Sequence, residues 1–411
     1  MLIAGEASGD ALAAELVRAL TREGELRGAP FPPEFFGAGG PQMAAEGVEL
    51  AFDLTRHSVI GLSDALKKVW AFKRLLDQLR QLAVARKPDV IVCVDFSGFN
   101  RRFARAVKRY VRARRGTFNN WEPRLVQYVS PQVWASRPGR AWQMAKDFDL
   151  LLCLLPFEPA WYASRLPRFR VEFVGHPIVE RHGNAERETR NAEPEIRNPK
   201  SEIRNPKSPW PADGVSDAPL VLLLPGSRTG ELKRHLPPML GAAARIRTGR
   251  PEARFRMIVP SEDLRQLALA SPGRFPDLDV RVGGLAESLC QATVALASTG
   301  TVTLECALFG VPTVALYKTS WSTYWVGRNL VTVKYLAMPN LLAGEAVFPE
   351  FIQGAANAPN LACAALELLN DAPRRAAIRG KLAQGVESLG GPGASERAAQ
   401  AICRLLPGGK P

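Results

Sequence analysis

Two loops in the second half of the chain combine residues that bind phosphate groups. The first follows the aliphatic run Leu220 to Leu224, contains Gly226, Ser227, Arg228 and Glu231, and should open a helix. Backbone N–H groups at a helix N-terminus attract anions, and a guanidinium adds a permanent positive charge. No Lys-Ser or Lys-Thr follows at the spacing of a nucleoside-triphosphate loop, so the pattern indicates a phosphate site of another kind.

The second loop follows another predicted strand, Val294 to Ala297, and also leads into a helix. Its polar turn consists of Ser298, Thr299, Gly300 and Thr301. Glu305 lies one helical turn further along, where a carboxylate could accept hydrogen bonds from both hydroxyls of a ribose. Ordinary helix capping predicts one such loop, and two in the same domain favour a nucleotide site.

The first half contains two glycine-rich turns of the same kind. The residues of interest are Glu6, Ser8, Gly9 and Asp10 in the first turn and Gly39 and Gly40 in the second. Glycines let a ligand approach the backbone, although capping of the following helix by Ser8 or Asp10 explains the first turn equally well. The spacing does not fit the G-x-G-x-x-G fingerprint, so no dinucleotide is predicted.

Metal and nucleophile chemistry find little support. The four histidines do not stand at metal-ligand spacing. Two D-x-D tripeptides occur, but residues 147–149 run into a predicted buried strand and residues 277–279 lie in a proline-rich segment. A serine nucleophile elbow is also missing from the sequence. We therefore predict a protein that uses neither a metal nor a cofactor.

The elements that position these loops alternate between short apolar strands, such as Glu34 to Phe36, and helices, which is typical of parallel βαβ units. The 411 residues exceed the roughly 250–300 at which one core stops growing. We predict two doubly wound, Rossmann-like α/β domains facing a cleft, at residues 1–183 and 219–411, with the C-terminal helix able to return to the first domain. Residues 184–218 are polar, contain one heptad twice, and are predicted to be a flexible linker.

The net charge of +14 predicts an anionic partner. Residues 101–115 carry eight basic residues and no acidic one, with apolar residues at helical spacing. A solvated face, an anionic membrane and nucleic acid all fit such a helix. The apolar run at 69–79, flanked by lysine and arginine, fits either an interfacial helix or an ordinary core-facing one.

The lengths of two apolar segments are informative. No stretch reaches the roughly 18 apolar residues that a membrane-spanning helix needs. Only four residues precede the first glycine turn, fewer than the about 5 to 6 of a typical strand, which is compatible with a natural start upstream of Met1.

Ordered motifs along nearly the whole chain outside residues 184–218 resemble one family, the lipid-A-disaccharide synthases, which are inverting glycosyltransferases of the two-domain GT-B type. The motifs of the first half are AGEASGD at 4–10, GGPQM at 39–43, KPDV at 87–90, YVSPQVWA at 128–135, LPFEP at 155–159 and FVGHP at 173–177. Those of the second half are LPGSR at 224–228, STGT at 298–301 and LAMPNLLAG at 336–344.

The resemblance implies transfer of 2,3-diacylglucosamine from UDP to 2,3-diacylglucosamine 1-phosphate in a β-1,6 linkage, with release of UDP. It implies that the two loops of the second domain and Asn340 bind UDP, with Arg228 stabilising the charge of the leaving group. On the acceptor side it places Glu6, Ser8, Gly9, Gly39, Gly40 and Ser130. It implies no metal.

The chain departs from the family at one position. Many members carry an acidic residue, the usual catalytic suspect, where this sequence has Gly98. The acceptor hydroxyl must lose a proton, and Asp95 is the nearest remaining carboxylate, at the end of a strand where active sites of open sheets lie. We predict Asp95 as the general base and Asp10 as the second choice. The alternative is that Asp95 only caps a loop.

Other functions stay open at this stage. Another GT-B transferase with a lipid-linked acceptor, or a UDP-sugar epimerase on the same scaffold, would share most of these loops. A nucleic-acid-binding protein would explain the charge, but the sequence contains no recognised motif for one, so we predict no nucleic acid as a partner. The expected place of action is the cytoplasm, at the anionic surface of the inner membrane, and a homodimer is an open question.

Overall fold

A computed structural model describes residues 1–27, 32–55, 65–116, 119–181, 218–275 and 277–406, with the backbone alone for residues 65–71 and 326. The chain divides into two compact units. Unit 1 comprises Met1–Glu180 with Leu389–Pro411, and unit 2 comprises Arg181–Ser388. Apart from Ala218, the predicted linker at 184–218 lies outside the described residues.

Unit 1 is built on a parallel sheet of seven strands in the order β3-β2-β1-β4-β5-β6-β7. Its strands are β1 (Leu2–Ala4), β2 (Phe36–Gly39), β3 (Glu49–Asp53), β4 (Val90–Val94), β5 (Arg124–Tyr128), β6 (Leu150–Cys153) and β7 (Val171–Phe173). The helices between and after them are α1 (Ala7–Leu26), α2 (Pro41–Ala45), α3 (Ala65–Arg86), α4 (Ser97–Arg114), α5 (Val133–Ser136), α6 (Arg140–Asp147) and α7 (Glu158–Ala163).

Unit 2 repeats the design with six parallel strands in the order β10-β9-β8-β11-β12-β13. They are β8 (Leu220–Leu224), β9 (Arg254–Val259), β10 (Asp279–Val282), β11 (Val294–Ser298), β12 (Thr313–Tyr317) and β13 (Glu350–Ile352). The helices are α8 (Thr229–Gly249), α9 (Glu262–Leu269), α10 (Leu285–Gln291), α11 (Thr301–Leu308), α12 (Trp321–Leu330), α13 (Met338–Ala343), α14 (Ala358–Asn370) and α15 (Ala372–Ser388).

The central strands form because their side chains are aliphatic on both faces. All five residues of β8 are buried, as are four of the five in β4. Helices cover both faces of a doubly wound parallel sheet, so its inner strands bury continuous apolar runs. The prediction of two parallel α/β domains is therefore confirmed.

The prediction of a strand at Glu34 to Phe36 was wrong in its position. The strand is β2, and it begins at Phe36 and includes Gly37 and Gly39. Gly37 has φ +156°, and a Cβ added there would collide with the carbonyl oxygen of Leu2 in β1. Glycine therefore belongs to the strand, because the neighbouring backbone leaves no room for a side chain.

The last helix, α16 (Ala394–Cys403), belongs to unit 1. Its Ala398 and Ile402 share a hydrophobic cluster with Leu12 and Leu16 of α1. The guanidinium Nε of Arg397 also donates to the carbonyl oxygen of Val174, at 2.8 Å. These contacts join the end of the chain to its first half.

Each sheet has one topological switch point, where neighbouring strands lead to helices in opposite directions. It lies between β1 and β4 in unit 1 and between β8 and β11 in unit 2. Ligands of open α/β sheets bind beyond the carboxyl ends of the strands at such points. The loops after β1, β4, β8 and β11 contain most of the predicted site residues. None of the helices in the described ranges is long and apolar enough to cross a bilayer.

Candidate functional site

The two predicted nucleotide loops of unit 2 meet at Gly226. This residue has φ +116°, which favours glycine. A Cβ added to it would lie 2.7 Å from Oε2 of Glu231 and 3.4 Å from Oγ of Ser298. The loop after β8 therefore lies close to the end of β11, and a methyl group at position 226 would press on the Glu231 carboxylate.

The loop after β8 presents an open helix N-terminus. Helix α8 begins at Thr229, and no side chain caps its first N–H groups. Glu231 accepts hydrogen bonds from the backbone N–H of Ser227 and from Nη1 of Arg228, each at 3.3 Å. The Arg228 side chain is 75% exposed, so it is free to turn toward an anion at this N-terminus. Glu231 is placed to orient the loop.

The loop after β11 has the same construction. Gly300 has φ +132° and precedes α11, whose first turn has no side-chain cap. Glu305 is half-buried in that helix, and burial raises the pKa of its carboxyl group to about 6. Thr299 is fixed by its backbone N–H, which donates to the carbonyl oxygen of Leu316 at 3.0 Å. A partly desolvated carboxylate here can accept hydrogen bonds from sugar hydroxyls.

Unlike the residues of these two loops, Asn340 has its side chain fully hydrogen-bonded inside unit 2. It is fully buried, and its side chain bonds the backbone N–H and carbonyl oxygen of Phe348 at 2.7 and 2.8 Å. Its Nδ2 also donates to Oε1 of Glu350 at 2.7 Å. These bonds fix the segment that leads from α13 to β13.

Sequence reasoning missed His235 as a part of this site. The ring is buried in α8 and hydrogen-bonds the carbonyl oxygen of Pro225, directly before the first loop. It also accepts the backbone N–H of Lys318, which follows β12. Because both partners are backbone atoms, ten and 83 residues away in sequence, no local pattern could have revealed this role.

In unit 1, Asp10 joins the two glycine-rich turns. Its buried carboxylate accepts backbone N–H groups of Gly40, Gln42 and Met43 at 2.8, 2.9 and 3.2 Å. It therefore caps α2. The alternative that Ser8 or Asp10 caps α1, the helix that follows the first turn, was wrong, because Glu6 occupies the N-cap position of α1 without a side-chain cap bond.

Asp95 lies beside the first turn, at the switch point of unit 1. A Cβ added to Gly9 would lie 3.6 Å from Cβ of Asp95. Burial raises the pKa of the Asp95 carboxyl group, and the negative charge of Glu6 raises it further. The structure thus brings Glu6, Gly9 and Asp95 together, with Asp95 half-buried and its basicity increased.

The backbone of Asp95 is held in an unusual conformation. Asp95 and Phe96 have φ values of +47° and +35°. The carbonyl oxygen of Asp95 accepts Nδ2 of Asn100 at 2.8 Å and Nε2 of Gln127 at 3.0 Å. Left-handed backbone in residues with side chains costs energy and is concentrated at functional sites, which strengthens the case for this loop.

Ser130 lies in a buried polar network. Its hydroxyl is 3.2 Å from the phenolic oxygen of Tyr162. Glu158, two per cent exposed, accepts Nε1 of Trp134 at 2.9 Å and the backbone N–H of Leu155 at 3.1 Å. Burial raises the pKa of Glu158 to about 7, opposed by the hydrogen bonds of Ser130 and Trp134. The network explains why these polar residues occur in the 128–135 and 155–159 motifs.

The predicted basic helix is α4. Phe103 and Val107 bury its apolar face, while Arg105 and Lys108 pair with Asp147 and Asp149 at 3.1 and 3.0 Å. Both carboxylates of the first D-x-D tripeptide are therefore used in ion pairs.

The apolar run at 69–79 lies in α3. Its Leu79 is fully buried, and Phe72, Leu75 and Leu76 pack against the core of unit 1. For these residues of α3 the core-facing alternative is therefore confirmed. The side chains of residues 65–71 are outside the described part of the chain.

Solved structures share this architecture. The calicheamicin glycosyltransferase is similar with a TM-score of 0.55 at 16% identity, covering 100% of this chain and 98% of its own. The UDP-GlcNAc 2-epimerase from Neisseria meningitidis bound to UDP-GlcNAc gives 0.57 at 11% identity, covering 95% and 96%. At such identities the likeness shows the fold. The fold is that of the GT-B class.

Sequence comparison narrows the class to a family. A family model described as lipid-A-disaccharide synthetase matches residues 1–404. The lipid-A-disaccharide synthase of Myxococcus xanthus is 35% identical over 414 residues, covering 100% of this chain and 98% of that protein. The chain belongs to the lipid-A-disaccharide synthase family. It is a GT-B glycosyltransferase of lipid A biosynthesis, as the sequence motifs predicted, and the epimerase alternative is set aside.

Proposed function

We propose that unit 2 binds the UDP part of the donor at the loops after β8 and β11. The observation that supports this most directly is the close approach of the backbone at Gly226 to Ser298, in loops that lead into two uncapped helix N-termini at one switch point. Aligned N–H groups there attract a diphosphate, and Arg228 supplies a charge-assisted bond. Glu305 accepts the ribose hydroxyls. We assign Asn340 the task of holding its loop in place, because its side chain is already bonded within the unit.

We further propose that unit 1 binds the acceptor sugar at the loops after β1, β2 and β4. Asp95 takes the proton from the acceptor 6-hydroxyl, since its raised pKa makes it a stronger base than an ordinary carboxylate. Asp10 is a weaker candidate because both its oxygens accept backbone N–H groups. Gly98 leaves open space, with nothing within 4 Å of an added Cβ.

The chemistry follows from these assignments. The 6-oxygen, deprotonated by Asp95, attacks the anomeric carbon of the donor while the bond to UDP breaks, which inverts the configuration. Negative charge grows on the leaving diphosphate, and fixed N–H groups and Arg228 stabilise that charge more strongly in the transition state than in the bound donor. No metal is needed for this scheme, because the cation is the guanidinium.

Two substitutions test the assignments. Arg228→Gln should weaken UDP binding by roughly ten- to a hundredfold in titration calorimetry, whereas Arg245→Gln, an exposed arginine further along α8, should not change it. Asp95→Asn should lower kcat by about 10²-fold or more with little change in either KM. Unchanged UDP affinity in Arg228→Gln would contradict the role of Arg228. A wild-type kcat in Asp95→Asn would contradict the role of Asp95 as the base.

We also propose that the protein works in the cytoplasm at the anionic surface of the inner membrane. In support, Arg105, Lys108, Arg109, Arg112 and Lys146 line one surface groove in which Asp147 is the acidic residue. Basic residues near an anionic bilayer contribute about 1 kcal/mol each. An amphipathic helix with this charge is suited to the lipid surface on which a diacylated substrate resides.

Vesicle sedimentation tests the membrane proposal. The protein should bind vesicles of phosphatidylglycerol and phosphatidylethanolamine, and binding should fall as salt is added. The pair Arg109→Gln and Arg112→Gln should lower the partition coefficient by roughly tenfold or more. Equal binding to vesicles of pure phosphatidylcholine would contradict an electrostatic attachment. A homodimer stays a separate prediction, to be tested by sedimentation equilibrium.

A further inference from the structure

Three arginines of unit 1 converge on a pocket beside the proposed base. The pocket has a volume of about 170 Å³, several times the space of one water molecule, and Arg101, Arg137 and Arg140 line it together with Ser97 and Gly98. Ser97 and Gly98 form the first turn of α4, which no side chain caps. The remaining lining residues are Gln127, Pro131, Gln132, Val133, Ser136, Met144 and Phe148. None of the described lining residues is acidic.

The basic residues of α4 form ion pairs with carboxylates further along the helix but not at this pocket. Arg105 and Lys108 meet Asp147 and Asp149. One turn earlier, Arg101 lines the pocket together with Arg137 and Arg140, and within the described ranges none of these three arginines forms an ion pair with a carboxylate.

The mutual repulsion of the three arginines affects the pKa of Arg140. Its pKa is lowered, first by burial and then by the charges of Arg137 and Arg101. Arg137 and Arg140 are exposed at the mouth of the pocket, and like charges that repel one another there are stabilised when an anion enters. Guanidinium groups bind the oxygens of a phosphate in bidentate fashion, and the free N–H groups at the start of α4 favour the same charge.

We propose that this pocket binds the phosphate monoester of the acceptor sugar, and that Arg101, Arg137 and Arg140 select a 1-phosphorylated acceptor. The proposal rests on the proposed function, in which unit 1 holds the acceptor. In a pyranose the ring oxygen is flanked by C1, which carries O1, and by C5, which carries the C6–O6 arm, so a 1-phosphate and the reacting 6-hydroxyl leave from the same edge of the ring. Asp95 directly follows β4, and Gly98, which lines the pocket, lies three residues further on in the first turn of α4.

The test compares two acceptors in detergent micelles that contain no phospholipid. One is 2,3-diacylglucosamine 1-phosphate and the other is the same sugar with a 1-O-methyl group. The wild-type protein should prefer the phosphorylated acceptor in kcat/KM, and Arg137→Gln and Arg140→Gln should each reduce that preference by roughly ten- to a hundredfold. Turnover of the methyl acceptor should stay unchanged. Because the preference is a ratio measured on one preparation, a partly unfolded variant does not distort it.

Arg168→Gln is the matched control, since Arg168 is an exposed arginine of unit 1 that does not line the pocket. It should retain the full preference. Arginine variants that keep the wild-type preference would overturn the proposal. If they kept it and instead lost binding to phosphatidylglycerol vesicles, the phosphate recognised by the pocket would be a lipid headgroup.

Failure of the proposed function would look different from failure of this inference. An Asp95→Asn variant with full turnover of both acceptors would remove the assigned base, whatever the arginine variants do. Normal loss of rate in Asp95→Asn together with an unchanged phosphate preference in Arg137→Gln and Arg140→Gln would overturn the inference alone.

Discussion

The buried imidazole of His235 lies 2.7 Å from the carbonyl oxygen of Pro225, the residue directly before the first UDP loop. Its other nitrogen, Nε2, accepts the backbone N–H of Lys318 at 3.0 Å. Because Nε2 is an acceptor, the ring proton resides on Nδ1, and burial lowers the pKa of His235 and so favours this neutral form. One side chain thereby fixes the loop after β8 relative to the end of β12.

Substitution of His235 should loosen this loop. His235→Phe removes both hydrogen bonds, so we expect a loss of about 1–3 kcal/mol in the free energy of unfolding and several-fold weaker UDP binding by calorimetry. A pKa lowered on folding contributes stability that is present above the ordinary value of 6.5 and is lost as the pH falls. Wild-type urea midpoints should therefore decline below about pH 6.5, and the variant should lack this component. If the urea midpoints of the wild type and of His235→Phe declined equally below about pH 6.5, the prediction would be contradicted.

Gly226 should be irreplaceable for nucleotide binding. In Gly226→Ala the new methyl group would lie 2.7 Å from Oε2 of Glu231, so the Glu231 carboxylate, which orients the loop, would have to shift. Gly273→Ala is a matched control, because Gly273 also has a positive φ, +83°, but nothing lies within 4 Å of an added Cβ. Both variants should lose roughly 1 kcal/mol to backbone strain. Only Gly226→Ala should lose UDP affinity, by about tenfold or more in calorimetry.

Glu6 should set the acid limb of the pH–rate profile. Its negative charge is the second cause, after burial, of the raised pKa of Asp95. A general base works when deprotonated, so kcat falls as the pH drops through that pKa. In Glu6→Gln the pKa of Asp95 should fall and the acid limb should move to lower pH. A profile identical to that of the wild type would show that a different group controls this limb.

Glu158 should make unit 1 less stable as the pH rises. Its pKa is raised from 4.5 to about 7 by burial, so its contribution to stability is full below pH 4.5 and is lost as the pH rises through about 7. The loss is on the order of 3 kcal/mol. Glu158→Gln should abolish this component of the pH dependence in urea unfolding, whereas Glu25→Gln, at an exposed position of α1, should keep it. The sign is opposite to that for His235, so the two effects can be separated.

Edge strands show where sequence patterns failed. The central strand β8 was predicted at its exact bounds, because both of its faces are buried and all five residues are aliphatic. Strands β3, β10 and β13 were not predicted. Each lies at or near a sheet edge with partly exposed side chains, including Asp279 and Glu350, so the apolar signal that marks a buried strand is missing.

The sequence by itself determined the fold class, the switch-point loops, and the family, because apolar runs, glycines and ordered motifs are local properties of the chain. The partners of the polar groups were decided by tertiary structure. Asp10 caps α2 rather than α1, His235 reaches Lys318 across 83 residues, and Arg101 meets Arg140 in one pocket. These relationships depend on which strands become neighbours in a sheet, and residues distant in sequence meet only when the chain has folded.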